Sequence, residues 1–253
     1  MRVHHLNCGS FCLPAAPFAC HCLLIESREG LVLVDTGLGL ADLADPRRRL
    51  GTAWTALLRP EARPALSARR QIEERGFTHD DVRHVIVTHL DVDHAGGIPD
   101  FPAAKVHVYA PELDAAMHPR TPRERFRYRP ALLNEAQDCY RYELEGDRWF
   151  GFEAVRPMGD LNLDIMLIPL VGHSVGHCGV AVRIPGGWLL DAGDAYIHHD
   201  ELWQAEARAP WGAALYQRLM AAQPQAREKN LQRLRRLARE RGRNVTIFSA
   251  HAP

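Results

Sequence analysis

The stretch Val82-Arg83-His84-Val85-Ile86-Val87-Thr88 runs without interruption into His89-Leu90-Asp91-Val92-Asp93-His94-Ala95-Gly96-Gly97. Its first part is rich in β-branched side chains and reads as a buried strand. Directly after it, four side chains with metal-binding atoms, His89, Asp91, Asp93 and His94, fall within six positions. Two adjacent glycines then let the backbone turn tightly. Four such groups side by side carry like charge and a desolvation penalty that a cation relieves. Imidazole with carboxylate suits zinc, and also iron or manganese. One histidine at a strand end is usually a hydrogen-bonded polar residue, so it is the clustering that points to a metal.

Upstream, Cys20–Glu26 and Leu31–Asp35 are apolar runs split by Ser27-Arg28-Glu29-Gly30, a hairpin signal, and Asp35-Thr36-Gly37 ends the second run. Residues 40–76 read as arginine-rich helix, with Gly76 as its stop. Downstream, Lys105–Tyr109 alternates as a strand, and Pro111 suits a first helical position. The stretch of about 111–145, rich in Arg and Tyr with Pro119, Pro122 and Pro130, is expected to be a helical insertion. Further strands are expected at Ile165–Leu170, Val180–Ile184, Trp188–Leu190 and Val245–Phe248, and a helix at Pro224–Arg241 with Leu231, Leu234 and Ala238 on one face.

Three more groups of donor side chains stand at strand ends: Gly172-His173, Asp191 with Asp194, and Ser249-Ala250-His251. Each alone is a weak signal. Their shared place after strands, where loops on a rigid scaffold carry chemistry, strengthens the set. Strands followed by a helix occur twice, which two sheets covered by helices on their outer faces would satisfy.

Composition narrows the function classes. The 253 residues suffice for one large core. The 31 basic and 31 acidic side chains cancel, giving no electrostatic reason to expect nucleic acid or an anionic membrane as partner. Pro14 and Pro17 interrupt the early apolar stretch, so no signal peptide is expected. With that, a cytoplasmic location and reduced thiols follow. Cys8, Cys12, Cys20 and Cys22 lack the two-to-four-residue spacing of zinc ligands in both halves and read as small buried hydrophobes. Trp149, Phe150 and Phe152 read as core, with an acyl-chain pocket as the alternative. Arg123, Arg125, Arg127 and Arg129 read as a solvated face.

Taken in order, Thr88–Gly97, Gly172-His173-Ser174-Val175-Gly176-His177, Gly193-Asp194, Ser249-Ala250-His251 and Asp35-Thr36-Gly37 resemble the metallo-β-lactamase superfamily over nearly the whole chain. The resemblance implies a single-domain αββα sandwich of four layers with two divalent metal ions at one edge. One ion would take His89, Asp91 and His173, the other Asp93, His94 and His251, and Asp194 would bridge them. Asp35 would orient a ligand from behind, and His177 is read as structural. The family pattern has His where this chain has Asp91. That carboxylate is a harder donor, so iron and manganese join zinc as candidate metals.

The expected activity is hydrolysis of a small molecule by a metal-bound hydroxide attacking a carbonyl. Lactonases and thioesterases such as N-acyl-homoserine lactonase and glyoxalase II are the resembling branch. Asp93 or Asp194 would pass a proton to the leaving group, and Tyr196 would either assist the oxyanion or simply pack. Two rivals remain. Gly172–Gly176 fits a Gly-x-Ser-x-Gly elbow, giving a metal-free hydrolase on Ser174, Asp194 and His251. A non-catalytic metal-binding member of the same fold is the other. The oligomeric state stays open, a homodimer included.

Overall fold

Leu31–Val34 and Ile165–Ile168 are buried at every position, so neither strand has a solvent face. The computed structural model describes residues 1–12, 18–129, 138–156, 163–203 and 210–252. Two units gather the chain: residues 1–107 with 119–140, and residues 108–118 with 141–253.

The first unit is built on a six-stranded sheet in the order β1 (Arg2–Phe11), β2 (Phe18–Ser27), β3 (Gly30–Val34), β4 (Val82–Ile86), β5 (Lys105–Tyr109), β6 (Asp138–Tyr142). β1, β2 and β3 pair antiparallel, the last two as the expected hairpin with Ser27 opposite Gly30. β3, β4 and β5 run parallel. That parallel core brings the ends of β3 and β4 together, and the amide of Asp35 donates to the carbonyl of Ile86 at 2.9 Å. Asp35 sits at φ +55°, a left-handed conformation uncommon for a residue with a side chain.

The helix expected over 40–76 is a string of short helices: α1 (Leu40–Ala44), α2 (Pro46–Leu50), α3 (Thr52–Leu58) and α4 (Ala68–Glu73). Pro46 and Pro64 each start a new helical turn, and Gly51 takes φ +89°, so no continuous helix survives. After β4, α5 (Val92–Ala95) carries two of the motif's donors.

The expected helical insertion of 111–145 is only partly helical. α6 (Ala110–Met117) belongs to the second unit and α7 (Pro122–Arg127) to the first, and the stretch ends in β6, the edge strand beyond β5. Its residues 130–137 lie outside the described residues.

The second unit holds a four-stranded sheet in the order β12 (Val245–Phe248), β11 (Gly187–Asp191), β10 (Cys178–Ile184), β9 (Ile165–Pro169), and a two-stranded ribbon of β7 (Asp147–Trp149) and β8 (Phe152–Ala154). β9, β10 and β11 pair antiparallel, while β12 lies parallel to β11. The remaining helices are α8 (His199–Trp203), α9 (Trp211–Met220) and α10 (Pro224–Arg241). α10 buries Leu231, Leu234, Leu237 and Ala238 in a cluster with Ile168 and Leu190. The leucine spacing of three is the helical stripe read from sequence. Trp149 and Phe152 join the same cluster, as the core reading expected, whereas Phe150 is exposed. Among the described residues, no helix is long and apolar enough to cross a membrane.

Candidate metal centre

In the first unit the turn after β4 is assembled around Asp35. Its Oδ1 accepts the amide of Thr88 at 2.7 Å, and its Oδ2 accepts the Thr88 hydroxyl at 2.8 Å. Oδ2 also lies 2.7 Å from His94 Nδ1. An ionised carboxylate only accepts, so the proton sits on His94 Nδ1 and the lone pair on Nε2. The Thr88 hydroxyl has one proton, spent on Asp35, so at 3.0 Å it accepts from His89 Nδ1. His89 is thereby also held with its Nε2 lone pair available. One buried carboxylate sets both tautomers, directly for His94 and through Thr88 for His89.

Those two rings lie with centroids 4.0 Å apart. His89 Nε2 is 3.4 Å from Asp91 Oδ2, and His94 Nε2 is 3.8 Å from Asp93 Oδ2. All four side chains are buried. The motif thus presents two imidazole–carboxylate pairs. Gly97 makes the tight turn behind them possible, since a Cβ there would meet Thr36 Cβ and its carbonyl oxygen at 3.0 Å.

The second unit presents its own donors. Asp194 Oδ2 is 3.4 Å from His173 Nε2, and its Oδ1 is 3.3 Å from His251 Nε2. The backbone fixes this arrangement. The amide of Ala192 donates to Phe248 and that of Ala250 to Gly193, which ties the end of β12 to the turn after β11. Gly193 takes φ +52°, and its amide donates to Asp191 Oδ1 at 2.9 Å, closing that turn. On the other side, the carbonyls of Gly172 and His173 accept from Gln223 and Ala222 at the start of α10. Gly172, at φ +145°, admits this close approach; a Cβ there would collide with the backbone nitrogen of Arg227.

His177 donates from Nδ1 to the carbonyl of Leu170 at 3.0 Å and accepts at Nε2 from the amide of Asp194 at 2.8 Å. Both nitrogens are committed, so it holds Asp194 in place rather than facing an ion. Ser174 donates to Glu112 Oε2 at 2.6 Å, and the same oxygen accepts the Gly176 amide at 3.0 Å. The one hydroxyl proton is therefore directed at a buried carboxylate and not at a histidine, which removes the geometry a serine nucleophile needs. Tyr196, 1% exposed, lies in the apolar cluster beneath α10. Burial pushes its hydroxyl pKa well above the usual value.

These donors fit a divalent ion. Two ligand atoms each about 2.0–2.1 Å from a shared tetrahedral ion lie about 3.3–3.4 Å apart. His89 with Asp91, His173 with Asp194 and His251 with Asp194 match that spacing; His94 with Asp93 is slightly wider. The separations exceed an ordinary charged hydrogen bond of about 2.8 Å, so the pairs are spaced as co-ligands rather than as partners.

Two residues escaped the sequence reading. Arg127 was expected on a solvated face, but it is buried with Nη1 3.0 Å from Asp91 Oδ2. The capping-box spacing Thr121-x-x-Glu124 announces α7 and would have placed Arg127 in its last turn, though nothing local announces the burial. Glu112 gave no signal, because its partners lie 62 and 64 positions away. Cys8, Cys20 and Cys22 are buried as expected, while Cys12 is exposed. Burial and the neighbouring Cys8 thiol push the Cys22 thiol well above its usual pKa, which keeps it a neutral thiol.

A model of the metallo-β-lactamase superfamily matches residues 15–227. A protein of Mycobacterium tuberculosis (strain ATCC 25618 / H37Rv) named as a probable metallo-hydrolase is 38% identical over 253 residues, covering 100% of this chain and 81% of that protein. An N-acyl homoserine lactonase of Rhizobium johnstonii is 26% identical over 246 residues, covering 91% of this chain and 80% of its own length. Among solved structures, an N-acyl homoserine lactone hydrolase with N-hexanoyl-L-homoserine bound at its catalytic metal centre superposes with a TM-score of 0.71 at 20% identity, over 98% of this chain and 92% of that one.

Proposed function

This chain belongs to the metallo-β-lactamase superfamily and is a metal-dependent hydrolase, and from that premise we propose that it opens a lactone or cleaves a (thio)ester at a dinuclear centre. One ion would be held by His89, Asp91 and His173, and the other by Asp93, His94 and His251, with Asp194 as the carboxylate common to both sets. Zinc is the metal we favour, with iron or manganese as the alternatives that the carboxylate of Asp91 admits. The observation that carries this reading is Asp194, whose two oxygens face two different imidazoles at 3.4 and 3.3 Å, the arrangement a bridging carboxylate requires.

Bound ions would supply an acidified water and positive charge facing the carbonyl oxygen. The chain's own residues do the rest. Asp35 and Thr88 hold His89 and His94 in the tautomers that ligation needs. His177 fixes the backbone of Asp194. Asp93, buried beside His94, would hold a proton at its carboxylate and pass it to the leaving-group oxygen; Asp194 is the other carboxylate of the proposed centre that could do so. Tyr196 enters no step in this scheme, because its ring is packed in the core.

Lactones lead the substrate classes because a relative aligned over most of both chains is named as a lactonase. The formal net charge of +0 accords with a small-molecule substrate rather than nucleic acid, and the buried thiols Cys8, Cys22 and Cys178 accord with a cytoplasmic setting. Turnover of N-acyl homoserine lactones, simple lactones and thioesters, before and after chelation and zinc return, tests the proposal. Chelator-sensitive hydrolysis of one class is expected. Activity that survives complete metal removal, or no turnover of any class by the fully loaded protein, would refute it.

A further inference from the structure

Arg127 stands apart from its neighbours. Arg123 and Arg125, on the same short helix, are exposed, whereas the Arg127 and Asp91 side chains are 2% and 5% exposed. A guanidinium does not give up its proton, so burying one is costly unless an opposite charge sits against it. Here Nη1 lies 3.0 Å from Asp91 Oδ2, and that same oxygen is the one 3.4 Å from His89 Nε2. One carboxylate oxygen is thus shared between an arginine and the imidazole beside it.

The arm that delivers Arg127 is built for the purpose. Thr121 Oγ1 accepts the Glu124 amide at 3.1 Å, Glu124 Oε2 accepts the Thr121 amide at 2.9 Å, and Pro122 takes the first helical position. Just beyond the helix, Arg129 Nη2 donates to the carbonyl of Leu50 at 3.1 Å. The segment is held on both sides of Arg127, so the position of its side chain is set by the fold.

Resting on the dinuclear reading above, we propose that Arg127 is a positioning residue for the metal centre. It orients the Asp91 carboxylate and cancels its charge, so that Asp91 enters the centre as a formally neutral ligand. The pair is a unit: without Arg127 the Asp91 carboxylate loses the donor that fixes its orientation, and without Asp91 the guanidinium is left as a buried cation beside the ions.

The test is zinc titration of the chelator-stripped full-length protein against a competing indicator, for wild type, Arg127→Met, Arg127→Lys, Asp91→His and the double variant Asp91→His/Arg127→Met, with circular dichroism as the check on folding. In Arg127→Met, one of the two zinc dissociation constants rises about 10–100-fold, the range expected when a group supporting a ligand is removed, while the other stays. Arg127→Lys recovers a tenth or more of the lost affinity. Asp91→His alone loses the same ion, because an unpaired guanidinium now sits beside it. Removing that guanidinium in the double variant tightens binding at least tenfold over Asp91→His, a comparison that stands even if Arg127→Met folds poorly. A purely structural arginine would give additive losses. Two constants within threefold of wild type in Arg127→Met, or a double variant no tighter than Asp91→His, overturns the proposal. A wild type that takes up no zinc overturns the dinuclear reading itself.

Discussion

Acid should unfold this protein through two buried histidines that have nothing to do with the metal centre. His21 lies 2.8 Å from His5 across β1 and β2, and His107 lies 2.9 Å from His84 across β4 and β5. Burial lowers the pKa of each buried member from 6.5 to about 3, with the neighbouring histidine adding to it. A histidine whose folded pKa is depressed binds protons only in the unfolded chain between those two values. Its contribution is complete above pH 6.5 and is lost progressively as pH falls towards 3. At pH 5 the unfolded chain gains about 1.5 pH units of proton binding per histidine, or about 2 kcal/mol each. The sum of about 4 kcal/mol is a large part of the roughly 5–15 kcal/mol by which a domain is stable. Urea unfolding of wild type and of His21→Gln/His107→Gln at pH 7.5 and pH 5.0 reads it. The variant should lose about 4 kcal/mol less than wild type between the two conditions. Taking this difference cancels acid effects at the metal ligands. Equal pH dependence in the two proteins would refute the reasoning.

Asp35→Asn removes the acceptor that fixes the tautomers of His94 and, through Thr88, of His89; zinc affinity measured by competition should fall about 10–100-fold while the protein stays folded. Ser174→Ala should leave kcat within a few-fold of wild type while lowering stability by about 1–3 kcal/mol in urea, because the buried Glu112 carboxylate loses its hydroxyl donor. Loss of all turnover in the folded variant would instead restore the serine as nucleophile.

Most of the frame is local information. The runs at Lys105–Tyr109, Pro224–Arg241 and Val245–Phe248 become elements with those same bounds, because period and end signals within each segment settle it. The donors of the proposed metal centre stand out in the sequence for a similar reason: they follow strands in short, unusual strings. What was not readable depends on partners distant in sequence. β1 carries His4, His5, Asn7 and Gly9, a poor strand by composition, and forms because β2 pairs with it along almost its whole length. β6 is likewise set by its place beside β5. Arg127 and Glu112 are charged residues that solvent would ordinarily claim, and only partners 36 and 62 positions away explain their burial. The long helix expected over 40–76 failed from local chemistry that was visible, since Pro46, Gly51 and Pro64 each interrupt it.

The most direct test is metal stoichiometry by elemental analysis of the purified protein, side by side with Asp194→Ala. The account predicts two divalent ions per chain in wild type and a loss at both positions in the variant, because one carboxylate serves both ions. Wild type with no bound metal, or a folded Asp194→Ala protein that keeps both ions, would contradict it.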